Sequence, residues 1–397
     1  MFRKMPILLI LIIAALLLTN SMLPLPLKQC LFAISLTIKS IIIFVLPFVI
    51  FGLLFKAAVE LSSGATQIIL LIFGLVIGSN FVASYLSHYI GSWVYQFNLS
   101  LILPKSKSTL EPLWSFHLPT LIRNEIALFA GIFGGLISAT FFRDLALPVA
   151  KKMEAIINKG LQSFIYIIPF FIAGFIVKLA EDGVVATIIK DYSGILAIIA
   201  VAQFSYAFLG YLLVNNGRFN RALTSLRNMV PAALCGFSSM SSAASMPLTI
   251  IGVERNAKHK SLVGSVVPAT VNIHLLGDCI AVPVFAYAIL KSYGMAEPGF
   301  MQYLVFVSYF VMARFSAAAI PGGGIIVMLP ILESNLGFNA EMLSLITALY
   351  ILFDPVITCA NILCNGAFAK GIDRLIDVFG LEDRVPAPAI EEAIKEA

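Results

Sequence analysis

Charge is the first thing this chain is short of. Asp, Glu, Lys and Arg make up 12% of its 397 residues, about half the share of a soluble domain, which excludes a polar-surfaced globular enzyme. Cysteine is sparse too. Cys30, Cys235, Cys279, Cys359 and Cys364 are odd in number, sit in or beside apolar segments and show no metal-ligand spacing. That excludes a secreted disulfide framework and leaves buried free thiols. Basic residues exceed acidic ones by only +5 and gather in short clusters, so nucleic acid is not an expected partner. What remains is oil: 60% of residues are hydrophobic and the mean hydropathy is +0.97, the profile of a chain that crosses a lipid bilayer many times.

The start, MFRKMPILLILIIAALLLTN, places Arg3 and Lys4 before an apolar run. It lacks a small-residue cleavage site and many spans follow, so it reads as a first span rather than a leader. Further apolar segments cover 31–61, 66–97, 119–148, 161–182 and 189–215, then 261–291 and 342–370. Two stretches, 229–254 and 300–335, are interrupted and read as hairpins that do not cross. The expected architecture is an all-α polytopic membrane protein with eight transmembrane helices and two re-entrant helical hairpins. Pro47 and Pro169 fall inside spans and predict kinks. They also mark a repeat. FVLPFVIFGLLFKAA (Phe44–Ala58) aligns with YIIPFFIAGFIVKLA (Tyr166–Ala180), matching Pro47 with Pro169, Phe48 with Phe170, Gly52 with Gly174 and Lys56 with Lys178. An odd number of crossings between the copies predicts inverted repeats.

Basic residues give the orientation. Arg3 and Lys4, Lys151, Lys152 and Lys159, Arg218, Arg221 and Arg227, Arg255, Lys258 and Lys260, and Lys370 with Arg374 fall on one side. The positive-inside rule puts that side and both termini in the cytoplasm of an inner (plasma) membrane. Residues 1–225 are expected to hold the scaffold spans with part of a mobile domain, 226–375 the core of that domain, and 376–397 an acidic cytoplasmic tail.

The two interrupted stretches carry the functional signal. MVPAALCGFSSMSSAASMP (Met229–Pro247) and AAAIPGGG (Ala317–Gly324) break the apolar chain with small residues and proline. A serine-rich tip at membrane depth must line protein or water, because lipid cannot satisfy its polar groups. Such tips expose backbone N–H groups, a natural cradle for a carboxylate. The first tip offers Ser238, Ser239, Ser241, Ser242 and Ser245; the second offers Ser316 and the run Ala318, Ala319, Ile320, Pro321, Gly322. In the last span Asp354, Thr358, Asn361 and Asn365 recur at spacings of four, three and four, one face of a helix turned from lipid. Asn272, His274 and Asp278 crowd the span at 261–291. Asn272 and His274 serve one site only if the helix is unwound after Pro268, which would free carbonyls to bind a cation. His274 is a candidate proton carrier.

Together these residues resemble the dicarboxylate/amino acid:cation symporters, the glutamate transporter family, over nearly the whole chain and most specifically over Met229–Lys370. SSAASMP (Ser241–Pro247) resembles that family's Ser-Ser-Ser-x-Thr-Leu-Pro hairpin, and AAAIPGGG its Ala-Gly-Val-Pro-Gly-Ala-Gly tip. The resemblance implies a homotrimer in which a mobile domain carries substrate past a fixed scaffold like an elevator. It places Ser241, Ser242, Ala318, Ala319, Ile320, Pro321, Gly322, Thr358, Asn361 and Asn365 at the substrate. It places Asn272, His274, Asp278, Arg314 and Asp354 at the coupling cation or proton, with Asn272 and Asn365 as sodium ligands. The departures have a direction. The family's Asn-Met-Asp-Gly-Thr motif falls on Asn272-Ile273-His274-Leu275-Leu276, so a sodium-ligating acid is His274. The acid for a substrate ammonium is Thr358, the arginine for a side-chain carboxylate is Asn361, and the last sodium acid is Ala369, while Arg314 is gained.

The expected function is secondary transport of a small carboxylate, dicarboxylate or amino acid, with sodium or protons as coupling ion, no other cofactor and no enzymatic activity. A neutral amino acid exchanger is the rival within transport, since Asn361 and Thr358 suit an uncharged side chain. A membrane serine hydrolase using Ser238 or Ser241 with His274 is a third reading. The serine run offers no nucleophile turn flanked by glycines. A passive anion pore is the fourth.

Overall fold

The computed structural model describes residues 11–12, 15–16, 18–61, 66–96, 110–119, 121–122, 124–181, 185–315 and 323–379. Among these, every extended regular element is a helix. In chain order they are α1 (Leu25–Leu61), α2 (Thr66–Gln96), α3 (Asn124–Phe141), α4 (Arg143–Ile165), α5 (Ile168–Glu181) and α6 (Val185–Val214). The first hairpin is α7 (Phe219–Ser239) with α8 (Met246–Glu254), followed by α9 (Lys260–Thr270) and α10 (Leu276–Ser292). The second hairpin is α11 (Phe300–Arg314), returning through α12 (Gly323–Ile326) and α13 (Leu329–Leu336), and α14 (Ala340–Phe379) closes the set. By length and composition Leu71–Gln96, Tyr192–Val214 and Glu341–Val378 can each cross a membrane, and shorter apolar helices accompany them.

The helices pack in two groups. In the first, α1 lies along α3, α4 and α5. Small residues permit the approach: a Cβ on Gly131 would stand 2.8 Å from the Phe51 carbonyl oxygen, and one on Gly135 would stand 2.6 Å from the Phe55 carbonyl oxygen. Close backbone contact of this kind is the usual cement between helices in lipid, where burial of oil gives no driving force. In the second group α10 is buried on every side from Leu276 to Leu290, enclosed by α2, α6 and α14. The first hairpin packs on α14, and α11 of the second packs on α2.

Several boundaries differ from those read off the chain. Pro47 is inside α1, but Pro169 stands in the first turn of α5, after a turn at Tyr166–Ile167. It starts a helix, a position where its missing N–H has no partner to lose, rather than kinking one. The apolar stretch 119–148 is split at Phe142, and Lys151, Lys152 and Lys159, expected between spans, lie within helix α4. The sequence there is rich in Ala, Ile, Lys and Met, which keep a helix going even where hydropathy falls. The two repeat copies lie on α1 and α5, which pack together: Ser35 Oγ donates to the Phe171 carbonyl at 2.7 Å, directly where Gly174 leaves room.

Candidate functional site

The span at 261–291 is broken at mid-length. Helix α9 ends two residues after Pro268, and Val271–Leu275 leaves the helix through a turn, with the His274 N–H donating to the Thr270 carbonyl at 2.8 Å, before α10 begins. Pro268 lies inside α9 and has no N–H to donate to the carbonyl four residues back, which weakens the last turn before the break. Neighbouring helices satisfy what the break exposes. Asn80 Nδ2 on α2 donates to the Ile273 carbonyl at 2.7 Å, and Gln203 Nε2 on α6 donates to the Gly277 carbonyl at 2.8 Å.

At the first hairpin, α7 ends on Met240, which takes a left-handed conformation (φ 50°). The chain then winds through Ser241–Ser245, with Ser245 Oγ donating to the Ser242 carbonyl at 3.0 Å and Ser241 Oγ accepting from the Ala244 N–H at 3.2 Å. This tip, the broken span, Gly324 of the second hairpin and the polar face of α14 surround a cavity of about 30 Å³, room for a water or two. Ser241 and Ser242 line it from the first hairpin; Asn272 and Asp278 from the broken span; Tyr350, Asp354, Thr358 and Asn361 from α14.

Beside the cavity is a buried charged cluster. Arg314, the last residue of α11, is 0% exposed. Its Nη1 donates to Asp278 Oδ1 at 3.0 Å and to the Gly324 carbonyl at 3.4 Å, and its guanidinium lies 4.4 Å over the Phe310 ring. Asp278 is further held by the Tyr350 hydroxyl on Oδ1 (2.5 Å) and by Asn361 Nδ2 on Oδ2 (2.6 Å). Asn361 Oδ1 in turn accepts from the Gly277 N–H at 2.8 Å. The carboxylate thus joins α10, α11 and α14 through one cation and two neutral donors. Arg314 Nε and Nη2, the side-on edge that grips carboxylates in bidentate fashion, have no hydrogen-bond partner among the described residues. Elsewhere on the stripe, Thr358 Oγ1 donates to Asp354 Oδ1 at 3.1 Å.

Two residues expected at the site stand apart from the cavity. Asn365 is buried beneath the end of α9, where its Oδ1 accepts from Thr270 Oγ1 at 2.8 Å. His274 points to the other side of the break: its Nε2 is 3.0 Å from Ser79 Oγ, and its ring lies 4.3 Å from that of Phe368. The unwinding that was to bring Asn272 and His274 to one site instead leaves them on opposite sides. Ala318, Ala319, Ile320, Pro321 and Gly322, with Ser316, lie outside the described residues. Tyr350, Thr270, Asn80 and Gln203 were not anticipated. Tyr350 sits four residues before Asp354, so extending the polar stripe by one turn finds it. Asn80 and Gln203 are amides in the middle of apolar spans, a signal in itself.

Two hairpins, a span broken at its middle and a long helix with a polar stripe, closing on a buried charged cluster, define a membrane transporter. The chain matches the sodium:dicarboxylate symporter family over residues 6–375 and belongs to that family. Membership carries a symporter-type activity, with a carboxylate substrate and a membrane setting.

Proposed function

We propose that this protein carries a small dicarboxylate across the inner membrane by elevator-type alternating access, with Arg314 as the group that grips one substrate carboxylate. The supporting observation is the Nε–Nη2 edge, unpartnered among the described residues, of a guanidinium with no solvent exposure. Buried charged donors without acceptors cost about 1–3 kcal/mol each or more. A ligand carboxylate supplies both acceptors at once. The serine tip and Asn361 line the adjoining cavity and suit the second carboxylate. Since about 30 Å³ is too small for such a ligand, one hairpin must move to admit it. In this reading α1 and α3–α5 form the fixed scaffold of a homotrimer, and α2 with α6–α14 move as one body. The separate packing of the two groups supports that division.

Arg314 also bears on coupling. Its positive charge rests on Asp278, a carboxylate that would otherwise attract a cation from solution. Sodium is then not required to neutralise Asp278, and Asp354, which lines the cavity, is the acid left to take a proton or cation. Asp354 also sustains a second reading, since its carboxylate could receive the ammonium of a neutral amino acid. Uptake of labelled succinate into proteoliposomes, competed with unlabelled serine and measured with and without sodium across pH, separates these. Succinate uptake that resists serine, ignores sodium and falls about tenfold or more in Arg314→Gln is the expected result. Saturable sodium stimulation at fixed pH, or serine displacing succinate, defeats the dicarboxylate, sodium-independent reading.

A further inference from the structure

A second and larger cavity lies at the base of the first hairpin. It encloses about 510 Å³, within the range of small-ligand sites. Its walls come from the end of α6, the start of α7, the loop between α8 and α9, and the last turns of α14. From Asn228 on its wall the chain climbs roughly 20 Å along α7 to the serine tip, at about 1.5 Å per residue, so this is not the substrate cavity.

The charges here are unbalanced. Arg221, Arg255, Lys258, Lys370 and Arg374 line the cavity against Asp373 and Asp377. Both carboxylates are already committed to the loop between α8 and α9. Asp373 accepts from the Lys258 and His259 backbone N–H groups at 2.9 and 2.8 Å and lies 3.0 Å from His259 Nδ1. Asp377 accepts from Lys258 Nζ at 2.9 Å and lies 3.4 Å from His259 Nε2. Among the described residues, the half-buried Lys370 ammonium hydrogen-bonds to uncharged oxygens, Asn215 Oδ1 at 2.7 Å and Ser225 Oγ at 2.9 Å. Among the described residues, no carboxylate stands within ion-pair distance of Lys370, Arg221, Arg255 or Arg374.

We propose that this cavity is an anion site for a phosphoryl group, whose oxygens take Lys370 and the guanidiniums of Arg221, Arg255 and Arg374. The donors come from α7, the α8 terminus and α14, three elements at different angles. A tetrahedral phosphoryl group presents oxygens in three directions and can meet all of them, whereas a single carboxylate offers two coplanar oxygens. Guanidinium forks match phosphate geometry, and Lys serves it as a point charge. The Asn215 and Asn228 amides are committed within the wall, donating to the Tyr211 carbonyl at 2.8 Å and to Asn256 Oδ1 at 2.8 Å, so the charged side chains carry the site. An occupant would tie the base of the first hairpin to α14. The phosphoryl group belongs either to a lipid headgroup or to a soluble phosphate ester.

Two arms on the full chain distinguish these sources. In the first, thermal unfolding of protein purified in uncharged detergent is followed against inorganic pyrophosphate, with sodium chloride at equal ionic strength as the control. In the second, native mass spectrometry counts lipids retained from nanodiscs of phosphatidylcholine with or without phosphatidylglycerol. Arg221 and Arg255 are exposed, so the variant R221Q/R255Q keeps the fold. Saturable stabilisation by pyrophosphate beyond the chloride control, weakened about tenfold or more in the variant, establishes the site with a soluble ligand. A phosphatidylglycerol adduct present in the parent and lost in the variant establishes it with a lipid. Binding of neither ligand, or equal binding by parent and variant, overturns the proposal. Substrate uptake is not read in either arm, so the result bears on this cavity alone.

Discussion

Breaking the Arg314–Asp278 pair offers the sharpest test of the charged cluster. Unit charges 3.0 Å apart attract by about 5–6 kcal/mol at an effective dielectric near 20. Removing one partner of a buried pair costs about 3–5 kcal/mol, because the other charge is stranded. The two ends differ in what they retain. In Arg314→Met, Asp278 keeps the Tyr350 hydroxyl and Asn361 Nδ2, so the cost falls at about 3 kcal/mol. In Asp278→Asn, the guanidinium keeps, among the described residues, the Gly324 carbonyl at 3.4 Å as its backbone acceptor, and the cost rises to about 4 kcal/mol or more. The double variant R314M/D278N strands no charge and loses about 2 kcal/mol, because an amide at 278 cannot accept from both Tyr350 and Asn361 as the carboxylate does, which leaves a coupling of about 5 kcal/mol, in line with the Coulomb figure. Denaturant titration of the purified protein in mixed micelles reads all three. A double variant no more stable than the worse single one, or an Arg314→Met loss no larger than that of exposed Lys152→Met, would refute the reasoning. The same Arg314→Met protein is expected to gain a sodium dependence in whatever uptake it retains, since Asp278 then lacks its tethered cation.

Gly324→Ala is expected to abolish most uptake and to lower stability by about 1–3 kcal/mol, because its Cβ would stand 2.6 Å from Asp278 Oδ1 and against the Tyr350 hydroxyl; a variant with parental uptake would show that the second hairpin does not close on this cluster. His274→Gln should destabilise by about 1 kcal/mol through its lost contacts with Phe368 and Ser79 and leave the pH profile of uptake unchanged, whereas a shifted profile would return the histidine to the proton path. Asp373→Asn removes the charge that receives the Lys258 and His259 backbone N–H groups and is expected to speed proteolysis at the loop between α8 and α9, with limited trypsin digestion as the readout.

Much of the site was legible in the chain because lipid makes polar groups conspicuous. The stripe of Asp354, Thr358, Asn361 and Asn365 needed only helical spacing, and all four are buried, though Asn365 faces Thr270 rather than the cavity. The break after Pro268 was legible as well, from a proline followed by polar residues that a regular helix would scatter. Partnership was not. Asp278 and Arg314 were both singled out, but nothing in their separation along the chain says that they meet, since the pairing depends on how α11 packs against α10. The side taken by His274 was hidden for a related reason: once a helix unwinds, its periodicity no longer assigns faces. Pro169 misled because a proline in an apolar run marks a helix start as readily as a kink, and only the turn at Tyr166–Ile167 decides between them.

The amides of Asn80 and Gln203 act as a splint across the fracture in the long span. A stretch outside regular structure is ordinarily where deuterium enters first, since its backbone opens without unravelling anything else. Here α2, α6 and α14 pack around the fracture, and apart from the exposed Asn272 its residues are buried, His274 and Leu275 being nearly sealed from solvent. Its amides should therefore exchange late, alongside those of α10, and the gap should stand ready-made before any solute arrives. A carrier built this way need not melt and refreeze its backbone on each cycle, and the notch travels intact within whatever body moves during turnover.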